Sequence, residues 1–132
     1  MPRLGDVMTP DPVTITAEKT LEDAQNIMTE KGIRHLPVVE DGKPVGVISD
    51  RDLHLAASVL KQPLQAILVR DAATDFPFRG NKKDDLASAV QGMAELAIGS
   101  VLVVDDSEQL VGIYTMQDVC TGYLSLMDEK GI

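Results

Sequence analysis

The sequence predicts a mixed α/β (α+β) fold made of two β-α-β-β-α repeats packed sheet to sheet with pseudo-twofold symmetry. Three observations lead there: an internal duplication, one apolar helical stripe in each copy, and a polar turn between two short apolar runs in each copy. Sliding the 132-residue chain against itself by 65 positions aligns Asp6–Asp41 with Asp71–Asp106 without a gap, and 11 of those 36 pairs are identical, among them Leu21/Leu86, Ala24/Ala89, Met28/Met93 and Val38/Val103. Unrelated segments of ordinary composition match at about one position in fifteen. After the next turn one added residue moves the offset to 66, which pairs Gly46 with Gly112 and Asp52 with Asp118. A duplicated unit is read before its elements are assigned.

Each repeat opens on an extended piece, Pro12–Ile15 or Pro77–Gly80. A helix follows, because Leu21, Ala24 and Met28, like Leu86, Ala89 and Met93, recur at i, i+3 and i+7 and form one apolar stripe. Thr20 is its N-cap, with Asp23 three residues on, and Gly32 its stop. Leu36–Val39 and Val101–Val104 are buried strands; Asp41-Gly42 turns the first into a second strand, Pro44–Ile48, and residues 105–108 turn the other into Leu110–Tyr114. Closing helices run from about Arg51 to Lys61 and from Met116 towards Lys130. The repeats therefore span residues 6–62 and 71–130. A unit of about 60 residues is marginal alone, and the short, partly apolar connector Lys61–Asp71 points to one compact module of two halves.

Composition narrows the function. Twenty-one acidic against 12 basic residues, a net charge of −9, and only two Phe, two Tyr and no Trp argue against a nucleic-acid partner, which needs a positive footprint and stacking platforms. Cys120 is the single cysteine, so no internal disulfide forms, and no Cys/His cluster has zinc spacing. The N-terminal residues lack the apolar run of a signal peptide, and no apolar tract approaches the roughly 18 residues of a membrane span. A cytoplasmic protein with no membrane partner is expected.

The chemistry sits at the same place in both halves: Gly46-Val47-Ile48-Ser49-Asp50-Arg51-Asp52 and Gly112-Ile113-Tyr114-Thr115-Met116-Gln117-Asp118. At a strand-to-helix junction this pattern suits a phosphorylated sugar. The glycine admits a ligand close to the backbone. The hydroxyl and first helical N–H groups face a phosphate, and the aspartate accepts from vicinal ribose hydroxyls. The same spacing is also a capping box, in which the two side chains satisfy the helix end without any ligand.

The doubled unit, the strand Arg34-His35-Leu36-Pro37-Val38-Val39 and the two Gly-x-x-Ser/Thr-x-x-Asp segments resemble a tandem pair of CBS (cystathionine β-synthase) domains, a Bateman module of the stand-alone prokaryotic type, from Val7 to about Tyr123. The resemblance implies a ligand sensor rather than an enzyme. By that resemblance it is expected to bind AMP, ADP, ATP, NAD(H) or S-adenosylmethionine in two clefts between the repeats, without a catalytic cofactor, and to act as a homodimer on an unidentified regulated protein. By the same resemblance the first pocket holds Ser49 and Arg51 at phosphate, Asp52 at ribose and Val47 at the base, with Arg34 or His35 reaching phosphate and Phe76, Asn81, Ile98 and Gly99 closing it. The second uses Thr115, Asp118 and Ile113, closed by Asp11, Thr16, Ile33 and Arg34.

The pockets are unequal: Arg51 and His35 of the first are replaced by Gln117 and Ser100 in the second, where Asp11 adds negative charge. A polyphosphate is therefore expected at Ser49/Asp52. Rival readings are weaker. Asp50 and His54 share a helix face at i, i+4, but no third metal ligand stands at a fixed spacing. Asp50-Arg51-Asp52 also echoes a kinase catalytic loop without its Gly-rich loop. Cys120 reads as a small hydrophobe of the last helix, Leu124, Leu126 and Met127 as core or dimer packing, and Lys82–Asp85 as a solvated helix start. An assembly module with no ligand is the main alternative.

Overall fold

The computed structural model describes residues 2–75 and 77–131. The chain runs through α1 (Leu4–Val7), β1 (Thr9–Pro10), α2 (Leu21–Lys31), β2 (His35–Glu40), β3 (Lys43–Ser49), α3 (Asp50–Leu60), β4 (Thr74–Asp75), β5 (Arg79–Asn81), α4 (Leu86–Leu96), β6 (Ser100–Val104), β7 (Leu110–Thr115) and α5 (Met116–Lys130). This is a mixed α+β arrangement of two repeats. It resolves into two compact units, Pro12–Pro77 and Met1–Asp11 with Phe78–Ile132.

In the first of these units β2 and β3 form the expected hairpin, with β4 on the outer edge of β3. The helical stripe behaves as its spacing demands. Leu21, Ala24 and Met28 are buried against Leu36, Val38 and Ile48 of the sheet and Leu53 of α3. Both ends of α2 are closed as the sequence specifies. Thr20 Oγ1 accepts the Asp23 N–H at 3.1 Å, Asp23 accepts the Thr20 N–H at 3.1 Å, and Gly32 stops the helix in the left-handed region at φ 65°. The connector after α3 is packed structure: Ile67, between the two 3₁₀ turns Leu64–Ala66 and Val69–Asp71, and Val69, which opens the second, lie in the same core.

The other unit repeats the plan on the sheet β1-β7-β6-β5. Ala89 and Met93 of α4 pack on Val101, Val103 and Tyr114. The duplication extends to detail. The bridge Ile15↔Val38 and the parallel pair Gly80↔Val103 occupy equivalent positions, and both hairpins shift register before their turn, at Val38/Val39 and Val103/Val104. The change of offset from 65 to 66 falls in that turn.

One feature departs from the repeats read in sequence. The leading residues of each repeat lie with the sheet of the other. Thr9 and Pro10 pair with Ile113 and Gly112, while Thr74 and Asp75 pair with Val47 and Gly46. Leu4 is fully buried among Ala89, Met93 and Val101, and its N–H donates to the Asp84 carbonyl at 2.8 Å. Repeat boundaries drawn along the sequence and compact units drawn in space thus differ by residues 6–11 and 71–77.

Candidate functional site

In the Pro12–Pro77 unit the hairpin brings the first motif together. Ser49 ends β3 directly opposite His35, and Val47 lies opposite Pro37. Residues paired across an antiparallel ladder share a face. Leu36, Val38 and Ile48 point into the core, so His35, Val47 and Ser49 project from the other face. The Asp50 N–H donates to the Arg34 carbonyl at 3.0 Å, which ties the start of α3 to the start of β2. Arg34, His35, Ser49, Arg51 and Asp52, expected together, are thus assembled by one hairpin and the first turn of one helix. Arg34 and Arg51 are exposed, while His35, Val47, Ser49 and Asp52 are half-buried.

The second motif has the same geometry: Thr115 stands opposite Ser100, Ile113 stands opposite Leu102, and the Met116 N–H donates to the Gly99 carbonyl at 2.9 Å. Gly99 is thereby tied to the start of α5, while the Ile98 N–H donates to the Met93 carbonyl at the end of α4. Asp11 belongs here too: exposed, with φ 47°, it donates its N–H to the Val111 carbonyl at the end of β1. Thr16 is exposed and Ile33 packs against the core in the Pro12–Pro77 unit. Asn81 uses both ends of its amide locally, donating to Asp106 Oδ1 at 3.1 Å and accepting the Lys83 N–H at 2.9 Å. Phe76 lies outside the described residues.

Both motifs are closed capping boxes. Asp52 Oδ2 accepts the Ser49 N–H at 2.8 Å and Ser49 Oγ accepts the Asp52 N–H at 3.2 Å. In the second, Asp118 Oδ2 accepts from the Thr115 N–H at 2.8 Å and from the Thr115 hydroxyl at 3.1 Å. The glycines also have a structural role. A Cβ on Gly46 would lie 2.9 Å from the Thr74 carbonyl oxygen, and one on Gly112 would lie 3.0 Å from that of Thr9 and against the Met8 side chain. Close approach of β4 and β1 already requires glycine at these positions, with or without a ligand.

Burial pushes the His35 imidazole below its usual pKa against the opposing pull of Asp50 and Asp52, with Arg34 adding to the lowering. Burial, and secondarily Asp118, pushes the Tyr114 hydroxyl up. A surface hollow of about 390 Å³ beside α2 is lined by Thr14, Thr16, Lys19, Asp23 and Asn26 with Ile15 and Ile27. Of the expected site residues it touches Thr16 alone. Among the described residues no three His, Cys, Asp or Glu side chains converge on a metal position, and no helix is long and apolar enough to cross a membrane. Cys120, expected as a packed hydrophobe, is exposed, as are Leu124 and Leu126; α5 buries none of its residues.

A doubled β-α-β-β-α unit with a capped Gly-x-x-Ser/Thr-x-x-Asp junction in each half defines one class of domain pair. The CBS domain family model matches residues 4–58 and 69–125, and the chain belongs to that family. Among solved structures it is similar to a Vibrio cholerae protein described as an acetoin utilization protein, AcuB (30% identity, 99% of this chain and 96% of that one, TM-score 0.86). It is also similar to CBSX2 of Arabidopsis thaliana in complex with AMP (28%, 96% and 98%, 0.79). A third is the CBS domain pair of MJ0100 in complex with 5′-methylthioadenosine and S-adenosyl-L-methionine (25%, 93% and 96%, 0.85). The homoserine O-acetyltransferase of Methanococcoides burtonii is 32% identical over 117 residues, 88% of this chain, which spans only 23% of that enzyme's length.

Proposed function

We propose that this chain is a regulatory module that senses an adenosine-containing ligand and catalyses no reaction itself. Adenosine 5′-compounds bound by CBSX2 and by the MJ0100 pair support the ligand class. AMP, ADP, ATP, NAD(H) and S-adenosylmethionine share that moiety. The observation that carries the reading is the clustering of Ser49, Asp52, Arg51, Arg34 and His35 at one strand-to-helix junction.

Each residue has a role its geometry permits. Asp52 keeps Oδ2 on the Ser49 N–H, so Oδ1 accepts from the ribose hydroxyls. The Ser49 hydroxyl retains its own proton for a phosphate oxygen while accepting from the Asp52 N–H. Arg51 and Arg34 supply the cations that a chain of net charge −9 must place locally to hold an anion. Thr115, Asp118 and Ile113 form the weaker counterpart, because Gln117 and Ser100 stand where the first motif has Arg51 and His35. Ligand binding alters the conformational equilibrium of the module by its differential affinity for the states, and through it a regulated partner protein.

Assembly as a homodimer belongs to the same proposal. Tyr123 and Leu124 are each 61% exposed on α5, and Leu55 and Val59 are exposed at 60% and 68% on α3, apolar surface that a second copy would cover. A thermal-shift series with AMP, ATP, NAD, 5′-methylthioadenosine and S-adenosylmethionine tests the ligand reading. A ligand at 100 times its Kd stabilises by about 2.7 kcal/mol. No shift with any of the five favours the assembly module without ligand.

A further inference from the structure

The two motifs are near copies, yet one position differs in kind. Opposite Ser49, at the start of β2, stands His35; opposite Thr115, at the start of β6, stands Ser100. His35 shares its sheet face with Ser49 and Val47 and is half-buried. The charges around it are Asp50 and Asp52 from the first turn of α3 and Arg34 from its own segment. One titratable group therefore sits on the face that carries the Ser49 hydroxyl, and its counterpart in the other unit cannot change charge between pH 5 and 8.

We propose that His35 makes the Ser49–Asp52 site select its adenosine ligand by the charge of the 5′ substituent, favouring a 5′-phosphate over an uncharged group more strongly as the pH falls. This rests on the adenosine reading above and adds the specificity-determining residue. The physical argument is linkage. In the ligand-free protein burial holds the imidazole below its usual pKa, so it is largely neutral at pH 7. A phosphate beside it favours the charged form. Binding then takes up a proton, and affinity improves by at most about tenfold per pH unit between the free and bound pKa values. Asp50 and Asp52 already favour the imidazolium and temper the effect, while Arg34 opposes it. An uncharged 5′-methylthio group gives no such gain.

Titration calorimetry on the full chain with AMP and with 5′-methylthioadenosine, between pH 5.5 and 8, tests this in the parent and in His35→Gln. The variant also records the contribution of the AMP phosphate, which itself titrates near pH 6. The expected result is a preference for AMP over 5′-methylthioadenosine that grows several-fold in the parent from pH 8 to pH 6, beyond any change in the variant. Proton uptake on AMP binding, read in two buffers of different ionisation enthalpy, provides a check on the parent alone. An identical pH response of the preference in parent and variant, or AMP binding without proton uptake by the parent across this range, overturns the role of His35. Failure of both ligands to bind at any pH instead overturns the adenosine reading and takes this inference with it.

Discussion

Asp52 and Ser49 hold each other's backbone: the carboxylate accepts the Ser49 N–H at 2.8 Å while the hydroxyl accepts the Asp52 N–H at 3.2 Å. The first turn of α3 is thereby fixed before any ligand arrives. Ser49→Ala is expected to lower ligand-free stability by about 1 kcal/mol, the ordinary worth of an N-cap hydroxyl. Urea unfolding of parent and variant checks it, and coincident curves would show that Ser49 is no cap.

Leu4 is completely buried in the core of the unit built mainly from the second repeat. Leu4→Ala should cost about 2–5 kcal/mol, the range for a leucine truncated in a packed core. Hydrogen exchange should show the loss in α4, β6 and β7, far along the chain from the mutation. Loss confined to α2 and β2 would refute the exchange of leading segments.

Gly32 and Ala97 are equivalent residues that both end a helix in the left-handed region, at φ 65° and 53°. An alanine pays a steric cost there of about 1–2 kcal/mol that glycine avoids. Ala97→Gly should therefore raise stability, by about 1 kcal/mol in urea unfolding, although glycine usually weakens helices. A destabilised variant would contradict the cap geometry.

His35 also links stability to pH. Its folded pKa lies below that of the unfolded chain, which is about 6.5 for histidine. Its neutral form thus contributes stability that is present above pH 6.5 and is lost as pH falls through the folded value. The urea midpoint of the ligand-free parent should drop more between pH 7.5 and 5.5 than that of His35→Gln. Equal drops would remove His35 from the balance.

The helices and hairpins were legible because their causes are local. The Leu21-Ala24-Met28 stripe, the Thr20/Asp23 box and Gly32 together specify α2 within a dozen residues, and all three act as read. The motif residues could be placed because a hairpin and a helix start lie within one short segment. The exchange of leading segments was not legible: Leu4-Gly5-Asp6-Val7 has no periodicity, and its partners lie some 80 residues away. The structural role of Gly46 is hidden for the same reason, since the Thr74 carbonyl that fills the space beside it arrives from a distant edge strand. On α5, apolar spacing marks a face but not what covers it: Cys120 is exposed and not packed, and exposed Leu124 and Leu126 leave dimer packing as their remaining reading.

Calorimetric titration of AMP into the parent and Asp52→Ala tests the central claim most directly, with urea unfolding of both proteins without ligand recording the loss of the cap separately. The account predicts measurable binding by the parent and a loss of about 1.5–3 kcal/mol in Asp52→Ala, the worth of hydrogen bonds to a charged acceptor. Affinity unchanged by removal of the Asp52 carboxylate would contradict it.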